Sequence, residues 1–308
     1  MCCTLWVFNF NTESGDSGLK KKASRLQRKE TRTAWLFLLP SVTGISIFIL
    51  LPFLDAVRRS FFDAMGIMFV GFDNFTTVLQ NDAFRLAAIN TGRFIITCIP
   101  LLLIISLLLS ALIFGQKGAG DFFKVSFLIP MAIPVACVAL LWQIFFHNNG
   151  LLNHLFVSLG MQPTDWMNTE CAFPVLVFSY LWKNTGYDSV LWLTGLGGIS
   201  SSLYEAASID GAGAWKKFRH ITLPGLLPTF YVAAVLSLVN SFKVFREAYL
   251  IAGSYPHKSI YMLQHLFNNW FMALDIQKMC AAAVLLAVLF TLFVLLIQKL
   301  GSRGMEEE

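Results

Sequence analysis

The sequence predicts an all-α integral membrane protein with six transmembrane helices. Of its 308 residues, 56% are hydrophobic and only 13% are charged, whereas soluble proteins carry about 25% charged residues. The mean hydropathy is +0.64. The apolar residues form long uncharged runs, and a helix of about 20 such residues crosses the hydrocarbon layer of a bilayer. We therefore expect membrane lipid to surround the chain.

Six segments are long and apolar enough to be these helices. The third contains Pro130 and Pro134, which we expect to kink a membrane helix rather than end it. The fourth is interrupted by Lys183, Asn184 and Asp188, and the fifth continues towards Ile251. The predicted spans are residues 34–54, 94–114, 125–146, 171–197, 223–242 and 279–297.

The lysine and arginine residues predict the orientation of these helices. Cytoplasmic connections of membrane proteins carry an excess of Lys and Arg. With the N-terminus inside, the basic residues of segments 20–32, 117–124, 216–219 and 299–303 all fall on the cytoplasmic side. The sequence thus predicts a multi-pass plasma-membrane protein with both termini in the cytoplasm. Its predicted parts are a basic tail (1–33), a six-helix domain (34–300) and a short tail (301–308), with outer segments 55–86, 147–170 and 252–277.

Several functions are disfavoured by missing patterns. No run of alternating basic and aromatic residues suggests a nucleic-acid partner. The six cysteines show no C-x-x-C pair, and the five histidines show no pair four residues apart, so neither a metal site nor a disulfide framework is expected. A G-x-x-x-x-G-K-[ST] phosphate loop is absent from the sequence, so the chain should not hydrolyse ATP by that means. The first residues resemble neither a signal peptide nor a lipoprotein signal.

A polar, basic stretch at residues 201–224 separates the fourth and fifth predicted helices. Ser202 and Glu205 have the spacing of a capping box, which predicts a helix over residues 203–209. Gly211 can adopt the left-handed conformation that ends a helix, and Asp210 can cap the next one. The second helix is predicted over residues 212–220, with Trp215 and Phe218 on one face. Two interpretations follow: an amphipathic connector at the membrane surface, or a docking surface for a soluble partner.

The residues of this stretch resemble a known family motif. The run "EAASIDGAGAWKKFRHITLP" matches every position of the EAA loop, EAA-x3-G-x9-I-x-L-P, found in permease subunits of binding-protein-dependent ABC importers. The segments "VGFDNF", "FLIPMAIPVACVALLWQIFF", "GLLN" and "WKNTGYDSVLWLTGL" also resemble carbohydrate-uptake permeases of the maltose-type group. The resemblance extends over nearly the whole chain, from about residue 32 to residue 300.

This resemblance implies a fold, partners and a coupling site. It implies the type I ABC importer permease fold, in which coupling helices between the fourth and fifth spans seat in a cleft of a cytoplasmic ATPase. It also implies a second homologous permease in a heterodimer, two ATPase subunits that bind the ATP, and an extracytoplasmic solute-binding protein in a bacterial inner membrane. No cofactor of the chain's own is implied. The implied coupling residues are Glu205, Ala206, Ala207, Asp210, Gly211, Trp215 and Phe218.

One region departs from the family pattern. Such permeases often carry a glycine-rich stretch like "TGGGP" outside the fifth helix, whereas this chain has "AGSYPHKS" at residues 252–259. A detailed analogy for the outer gate or for contacts with a binding protein is therefore not carried over to this segment.

Polar residues inside the predicted helices suggest a path for the substrate, because ionisable groups in membranes usually face an interior or a water-filled route. Residues 240, 243 and 247 share one helical face. The alternative interpretation is a structural Lys243–Glu247 pair with Arg246 reaching outward. The predicted path residues are Trp182, Asn184, Tyr187, Asn240, Lys243 and Glu247.

The sequence therefore predicts a permease that forms half of an ATP-driven import pathway for a sugar or oligosaccharide. An importer for a polyol, a sugar acid or a glycerol phosphate is the alternative within the same family. A secondary transporter or channel would not explain the complete EAA pattern. A membrane-embedded enzyme would need a convergent acid, base or metal cluster, which the sequence does not show.

Overall fold

The computed structural model describes residue 31, residues 33–114 and residues 120–306. The predicted N-terminal tail (1–33) therefore lies largely outside the described residues, whereas residues 301–306 of the predicted C-terminal tail belong to the last helix. The chain divides into two compact units, Met1–Arg58 and Arg59–Glu308, which are described separately. Throughout the described ranges the regular structure is helical, apart from an isolated antiparallel bridge between Phe62 and Phe69.

The described part of the first unit is mainly helix α1, Thr33–Ser60, whose last two residues belong to the second unit. Apolar side chains cover every face of this helix and are largely exposed, as expected for a segment surrounded by lipid. Its middle contains a π-helical turn, Ser46–Leu50, immediately before Pro52. Proline has no N–H to donate, and a wider turn is one way in which a helix accommodates the lost hydrogen bond.

The second unit contains the remaining helices. The fifth predicted span is divided by a single 3₁₀ turn, Phe242–Val244, into two helical segments. The helices are α2 (Asp73–Gln80), α3 (Asp82–Ile113), α4 (Gly120–Ala132), α5 (Val135–Phe146), α6 (Leu151–Ser158), α7 (Ala172–Gly197), α8 (Ser201–Ile209), α9 (residues 214–225), α10 (Leu227–Ser241), α11 (Phe245–Ala252), α12 (Leu263–Met272) and α13 (Ile276–Glu306).

Helix α7 is the centre of the packing in this unit. It lies along α3 and α4 and also contacts α10. One buried cluster joins Phe94 of α3, Tyr180 of α7 and Ala248 of α11, and another joins Leu103, Trp192 and Leu226. A helix enclosed by other helices needs little lipid-facing apolar surface, so it can carry polar side chains that bond to its neighbours.

Five helical segments of the described chain are long and apolar enough to cross a membrane: Thr33–Ser60, Asp82–Ile113, Val135–Ser158, Leu227–Ala252 and Ile276–Leu295. Helix α7 corresponds to the fourth predicted span and has 26 residues, about 39 Å at 1.5 Å per residue. It is long enough to cross a bilayer, but its polar residues make it less apolar than the others. The polar residues that interrupt this apolar run in the sequence, Lys183, Asn184 and Asp188, therefore lie on the helix that its neighbours enclose most.

The third predicted span, residues 125–146, is divided in the structure. Helix α4 ends at Ala132 and α5 begins at Val135, with Pro134 at its N-cap position. Pro130 lies inside α4. Since a residue before proline disfavours the helical conformation, the break falls at Ile133 and Pro134. This break matters for the site because it forms one wall of a polar cavity.

The connection after α5 is organised around one buried asparagine. Asn153 is 2% exposed, and its amide donates to the carbonyls of Asn148 and Thr164, each at 2.9 Å. Its Oδ1 accepts from the Thr164 N–H at 3.1 Å and from Trp166 Nε1 at 2.9 Å. A single side chain therefore holds both ends of the segment 147–166 together.

Candidate functional site

The stretch between α7 and α10 folds as two short helices joined by a tight bend, and we call residues 201–225 the knob. Helix α8 ends in a Schellman motif, in which the N–H of Ala212 donates to the carbonyl of Ala207 at 2.8 Å and that of Gly211 donates to Ser208 at 3.2 Å. Gly211 has a φ of +72°, which glycine adopts without steric cost. The sequence prediction of a glycine bend is therefore confirmed.

Two details of the predicted knob are wrong. Helix α8 begins at Ser201 with Ser200 as N-cap and no side-chain capping bond, so Ser202 lies within the helix and forms no capping box with Glu205. Asp210 ends α8, whereas the N-cap of α9 is Gly213. Helix α9 begins at Ala214, two residues later than predicted, because the chain needs residues 211–213 to reverse direction after the bend.

Helix α9 continues without interruption into the next span. It comprises Ala214–Lys217, a π-helical turn, Phe218–Thr222, and Leu223–Gly225. Pro224 was expected to mark the entry into the fifth helix, and α10 follows directly at Leu227. A movement of the knob would therefore be transmitted along a nearly continuous helical axis.

The surface of the knob presents large apolar side chains to solvent. Ile209 is 88% exposed and Trp215 is 70% exposed. The Trp215 and Phe218 rings are stacked, with centroids 5.8 Å apart. Glu205 and Ala206 are also exposed, and Ala207 is half-buried. The implied coupling residues thus all lie on the knob. We call the exposed side chains of Ile209 and Trp215 the apolar patch, and the exposed carboxylate of Glu205 lies on the same element.

The base of the knob is fixed to the helix bundle. Leu196 and Leu226, which flank it on either side, are buried in the same cluster. Within the knob, the Tyr204 and Thr222 hydroxyls are 2.8 Å apart, and Lys217 Nζ donates to Ser208 Oγ at 2.7 Å. These contacts join α8 to α9, so the knob is one packed body attached to α7 and α10.

A second candidate site is a polar cavity of about 370 Å³ within the bundle, which we call the central cavity. Its walls come from the break between α4 and α5, from the middle of α7, and from the junction of α10 with α11. It is lined by Met131, Ala132, Ile133, Pro134, Val135, Ser179, Tyr180, Lys183, Asn184, Asn240, Lys243, Val244, Arg246 and Glu247.

An ion pair joins two walls of the central cavity. Lys183 Nζ lies 2.6 Å from Glu247 Oε1, and the two side chains are only 15% and 7% exposed. Lys243 Nζ instead donates to Asn240 Oδ1 at 2.8 Å. The alternative Lys243–Glu247 pair considered from the sequence is therefore wrong, because the carboxylate of Glu247 turns towards α7 rather than along its own helix.

The structure brings four of the six predicted path residues to this cavity: Asn184, Asn240, Lys243 and Glu247. Trp182 lies elsewhere on α7 and packs edge to face on Trp142, with ring centroids 5.4 Å apart. Tyr187 is half-buried and does not line the cavity. Their role in a path stays a prediction.

Sequence reasoning overlooked Lys183 and Arg246 as lining residues. In the sequence, Lys183 is recognisable only as an interruption of a helix, and Arg246 reaches outward only in the alternative interpretation. Both line the cavity. Helical spacing could have found Lys183, which is one turn from Tyr180 and from Tyr187, but the partner of its ammonium group depends on the packing of α7 against α11.

Comparison with known proteins identifies the family of this chain. Residues 94–307 match the family of the binding-protein-dependent transport system inner membrane component. The chain belongs to this family. As a member of it, the protein is a multi-pass membrane component of a transport system and not an enzyme, and the EAA motif and coupling helices are features of this family.

Relatives of this inner membrane component align over most of their length. The trehalose/maltose transport system permease protein MalF of Thermococcus litoralis is 32% identical over 284 residues, covering 90% of this chain and 96% of the relative. The sulfoquinovosyl glycerol transport system permease protein SmoG of Agrobacterium fabrum is 31% identical, covering 83% of this chain and 86% of the relative.

A solved structure shares the fold of this inner membrane component. It is a chain of a bacterial ABC transporter involved in the import of the acidic polysaccharide alginate, and it superimposes with a TM-score of 0.78. The match covers 91% of this chain and 99% of the other at 24% identity. The protein therefore has the type I ABC importer permease fold predicted from its sequence.

Among the described residues of this family member, no group of three His, Cys, Asp or Glu side chains is placed to hold a metal ion. Among the described cysteines, Cys98 and Cys280 are buried. His265 is fully buried, and its Nδ1 accepts from the backbone N–H of Met262 at 3.2 Å. These groups therefore serve the packing of the bundle.

Proposed function

We propose that this chain is one permease subunit of an ATP-driven importer and forms half of the pathway for a sugar or oligosaccharide. A second homologous permease would supply the other half, two ATPase subunits would supply the energy, and an extracytoplasmic binding protein would deliver the substrate. Family membership supports the dependence on a binding protein. The names of relatives, such as those for trehalose/maltose and lactose transport, support a saccharide.

We further propose that both termini and the knob lie in the cytoplasm. The support is the distribution of charge, because the knob carries Lys216, Lys217 and Arg219 within four residues and short cytoplasmic connections are enriched in such residues. The polar segment around Asn153 would then lie on the outer side, where a binding protein could reach it.

The single observation that carries the coupling role is the exposed apolar patch on a knob that is fixed at its base. Trp215 and Ile209 are large side chains exposed to solvent, and aromatic anchors of this kind dominate the energetics of protein interfaces. We expect an ATPase cleft to cover them. Closure of the ATPase dimer would move the knob as a body, and Leu196 and Leu226 would carry the displacement into α7 and α10.

Two substitutions test the coupling role. In the complete importer, Glu205→Lys places a cation beside the patch, and Gly211→Asp places a carboxylate on the exposed bend of the knob. We expect both variants to insert into the membrane normally but to lose the ATPase on purification and to lose uptake. Glu170→Lys is the control, because it reverses the charge of another exposed acidic residue that lies outside the knob, at the cost of a single exposed ion pair with Lys258. A Glu205→Lys importer that keeps its ATPase and wild-type uptake would refute the assignment.

The central cavity is our candidate for part of the substrate path. Asn184, Asn240, Lys243 and Glu247 offer hydrogen-bonding groups in an otherwise apolar bundle, and intramembrane polar residues of this kind mark substrate routes. Asn240→Trp should fill the cavity and stop uptake while the ATPase stays bound. Val239→Trp is the control, because the neighbouring Val239 is 52% exposed and does not line the cavity. Equal uptake by both variants would exclude this cavity from the path.

A further inference from the structure

We infer that the central cavity selects a saccharide that carries an anionic group, such as a carboxylate, a sulfonate or a phosphate ester. This inference rests on the proposed function, since it names the substrate class of the same pathway. It is carried by the balance of charge on the cavity wall and by the partners of each charged side chain.

The wall of the central cavity has an excess of positive charge. It contains three basic residues, Lys183, Lys243 and Arg246, and one acidic residue, Glu247. Asp188 is the nearest acidic group along α7, but it is 1% exposed, accepts from Ser237 Oγ at 2.7 Å and does not line the cavity. Even if Asp188 is counted as ionised, three cations face two anions, so an excess of one positive charge remains.

The partners of these residues show which cations are available to a ligand. Glu247 neutralises Lys183 in a nearly buried pair. Lys243 has only the neutral amide of Asn240 as a partner within the described chain. Arg246 is exposed in the cavity wall and lies beyond ion-pair distance of every described carboxylate. Two cations three residues apart therefore face the same space with no anion of the described chain to balance them.

Uncompensated cations in a membrane-embedded cavity favour an anionic ligand over a neutral one. Lys243 and Arg246 are both exposed in the cavity wall, and a cleft lined by charges of one sign, with walls of low dielectric constant, attracts ligands of the opposite charge. Guanidinium groups bind carboxylates and phosphates through two parallel hydrogen bonds, and such charge-assisted bonds are about twice as strong as neutral ones. Arg246 can supply the paired bonds, and Lys243 can supply a second cation to the same group.

The aromatic side chains of the cavity also argue against a neutral sugar as the preferred ligand. Among the described lining residues, Tyr180 is the single aromatic one. It is 2% exposed, its ring packs edge to face on Phe94 at 5.3 Å, and its hydroxyl donates to the carbonyl of Ser237 at 2.8 Å. Tyr180 therefore has no free face for stacking on a sugar ring, so recognition in this cavity relies on charge and on hydrogen bonds from side chains such as Asn184 and Asn240.

The test compares saccharides that differ only in charge. The cognate binding protein is first titrated with galacturonate, sulfoquinovose and glucose 6-phosphate, and each anionic saccharide is compared with neutral galactose or glucose. These titrations show whether the system accepts anionic or neutral saccharides and which anionic group it prefers. The complete importer is then reconstituted in liposomes, and uptake of the accepted saccharide is measured for the parent and for Arg246→Gln, Lys243→Gln and Arg246→Lys. Lys278→Gln is the matched control, because it removes a cation that pairs with Asp275 outside the cavity.

We expect binding of an anionic saccharide and a loss of at least about tenfold in its uptake for Arg246→Gln and Lys243→Gln, since about 1.4 kcal/mol corresponds to tenfold. Arg246→Lys should retain most uptake, and Lys278→Gln should remain within about twofold of the parent. Binding of neutral saccharides alone, or unchanged uptake of the anionic one by the glutamine variants, would overturn the inference. Those results would leave the importer assignment intact, whereas uptake that continues without the ATPase would refute the proposed function itself.

Discussion

Lys183 of α7 and Glu247 of α11 form a nearly buried ion pair, with Nζ 2.6 Å from Oε1. The other carboxylate oxygen, Oε2, is buried and has no hydrogen-bond partner among the described residues. Lys183 is therefore the principal compensation for the charge of Glu247. Because the pair links the central helix to the last part of the fifth span, it also fixes one wall of the cavity relative to another.

Removing one partner of this pair should destabilise the protein strongly. Glu247→Gln would leave the Lys183 ammonium buried without a counterion, and breaking a buried pair in this way costs about 3 kcal/mol or more. The double variant Lys183→Met/Glu247→Leu removes both charges and should recover most of the loss. Thermal unfolding of the purified importer measures both. A Glu247→Gln protein as stable as the parent would mean that water or another group already compensates the lysine.

Gly186 allows α7 and α4 to approach closely. A Cβ added at this position would collide with the backbone carbonyl of Phe127. We expect Gly186→Ala to separate the helices and to lower stability by about 2 kcal/mol, within the range for an overpacked core. Gly197→Ala is the control on the same helix, where a Cβ meets no atom within 4 Å. It should be neutral or stabilising by up to about 1 kcal/mol, because alanine favours helices. The two variants are compared by thermal unfolding, and equal midpoints would contradict the packing.

Gly211 should be required for its conformation rather than for its small size. Its φ is +72°, and a Cβ added at this position would meet no atom within 4 Å. The left-handed conformation alone therefore makes the native bend of the Gly211→Ala variant less stable by about 1 kcal/mol. This cost lowers the ratio of bent to unbent knob by a factor of about five. We expect uptake to fall by about that factor and Gly211→Asn, which tolerates this conformation better, to restore part of it. Gly213→Ser is the control, because Gly213 is equally open at an ordinary φ and serine is favoured at its N-cap position, so an equal loss there would remove the conformational explanation.

Much of this architecture could be predicted from the sequence because the bilayer imposes it. A span requires a long apolar run, and Asp82–Ile113 and Ile276–Leu295 satisfy this rule without ambiguity. The bend at Gly211 also follows from local chemistry, since only glycine adopts a positive φ at little cost. Local chemistry therefore predicted the bend, although it placed the caps wrongly at Ser202 and Asp210.

Pairings across the bundle could not be predicted in the same way. Lys243 precedes Glu247 by only four residues, yet Glu247 bonds Lys183, which is 64 positions distant. The position of Arg246 on the cavity wall likewise depends on the 3₁₀ turn Phe242–Val244, which rotates α11 relative to α10. Such contacts result from packing between helices, and helical periodicity carries no information on them.

Asp165 lies in the connection between α6 and α7 and accepts several hydrogen bonds. The Asn168 side chain donates to it at 3.0 Å, and the backbone N–H groups of Asn168 and Met167 donate to Oδ1 at 3.0 and 3.3 Å. The Asn168 side-chain bond, followed by the backbone bonds, lowers the pKa of the Asp165 carboxyl below its ordinary value. The ionised carboxylate is therefore the form that holds this turn.

This lowered pKa predicts how the turn responds to acid. A carboxyl whose pKa is lower in the folded state stabilises that state above its unfolded pKa of about 3.9, and the contribution is lost as the pH falls through the folded value. Amide protection of Met167 and Asn168 in the purified importer, measured by hydrogen exchange and corrected for intrinsic rates, should thus persist from pH 7 to about pH 4 and decline only below it. Asp165→Asn has no carboxylate and should show weaker protection without this decline. A midpoint at about pH 5 or above would contradict the hydrogen-bonded carboxylate, because it would require a pKa above the unfolded value.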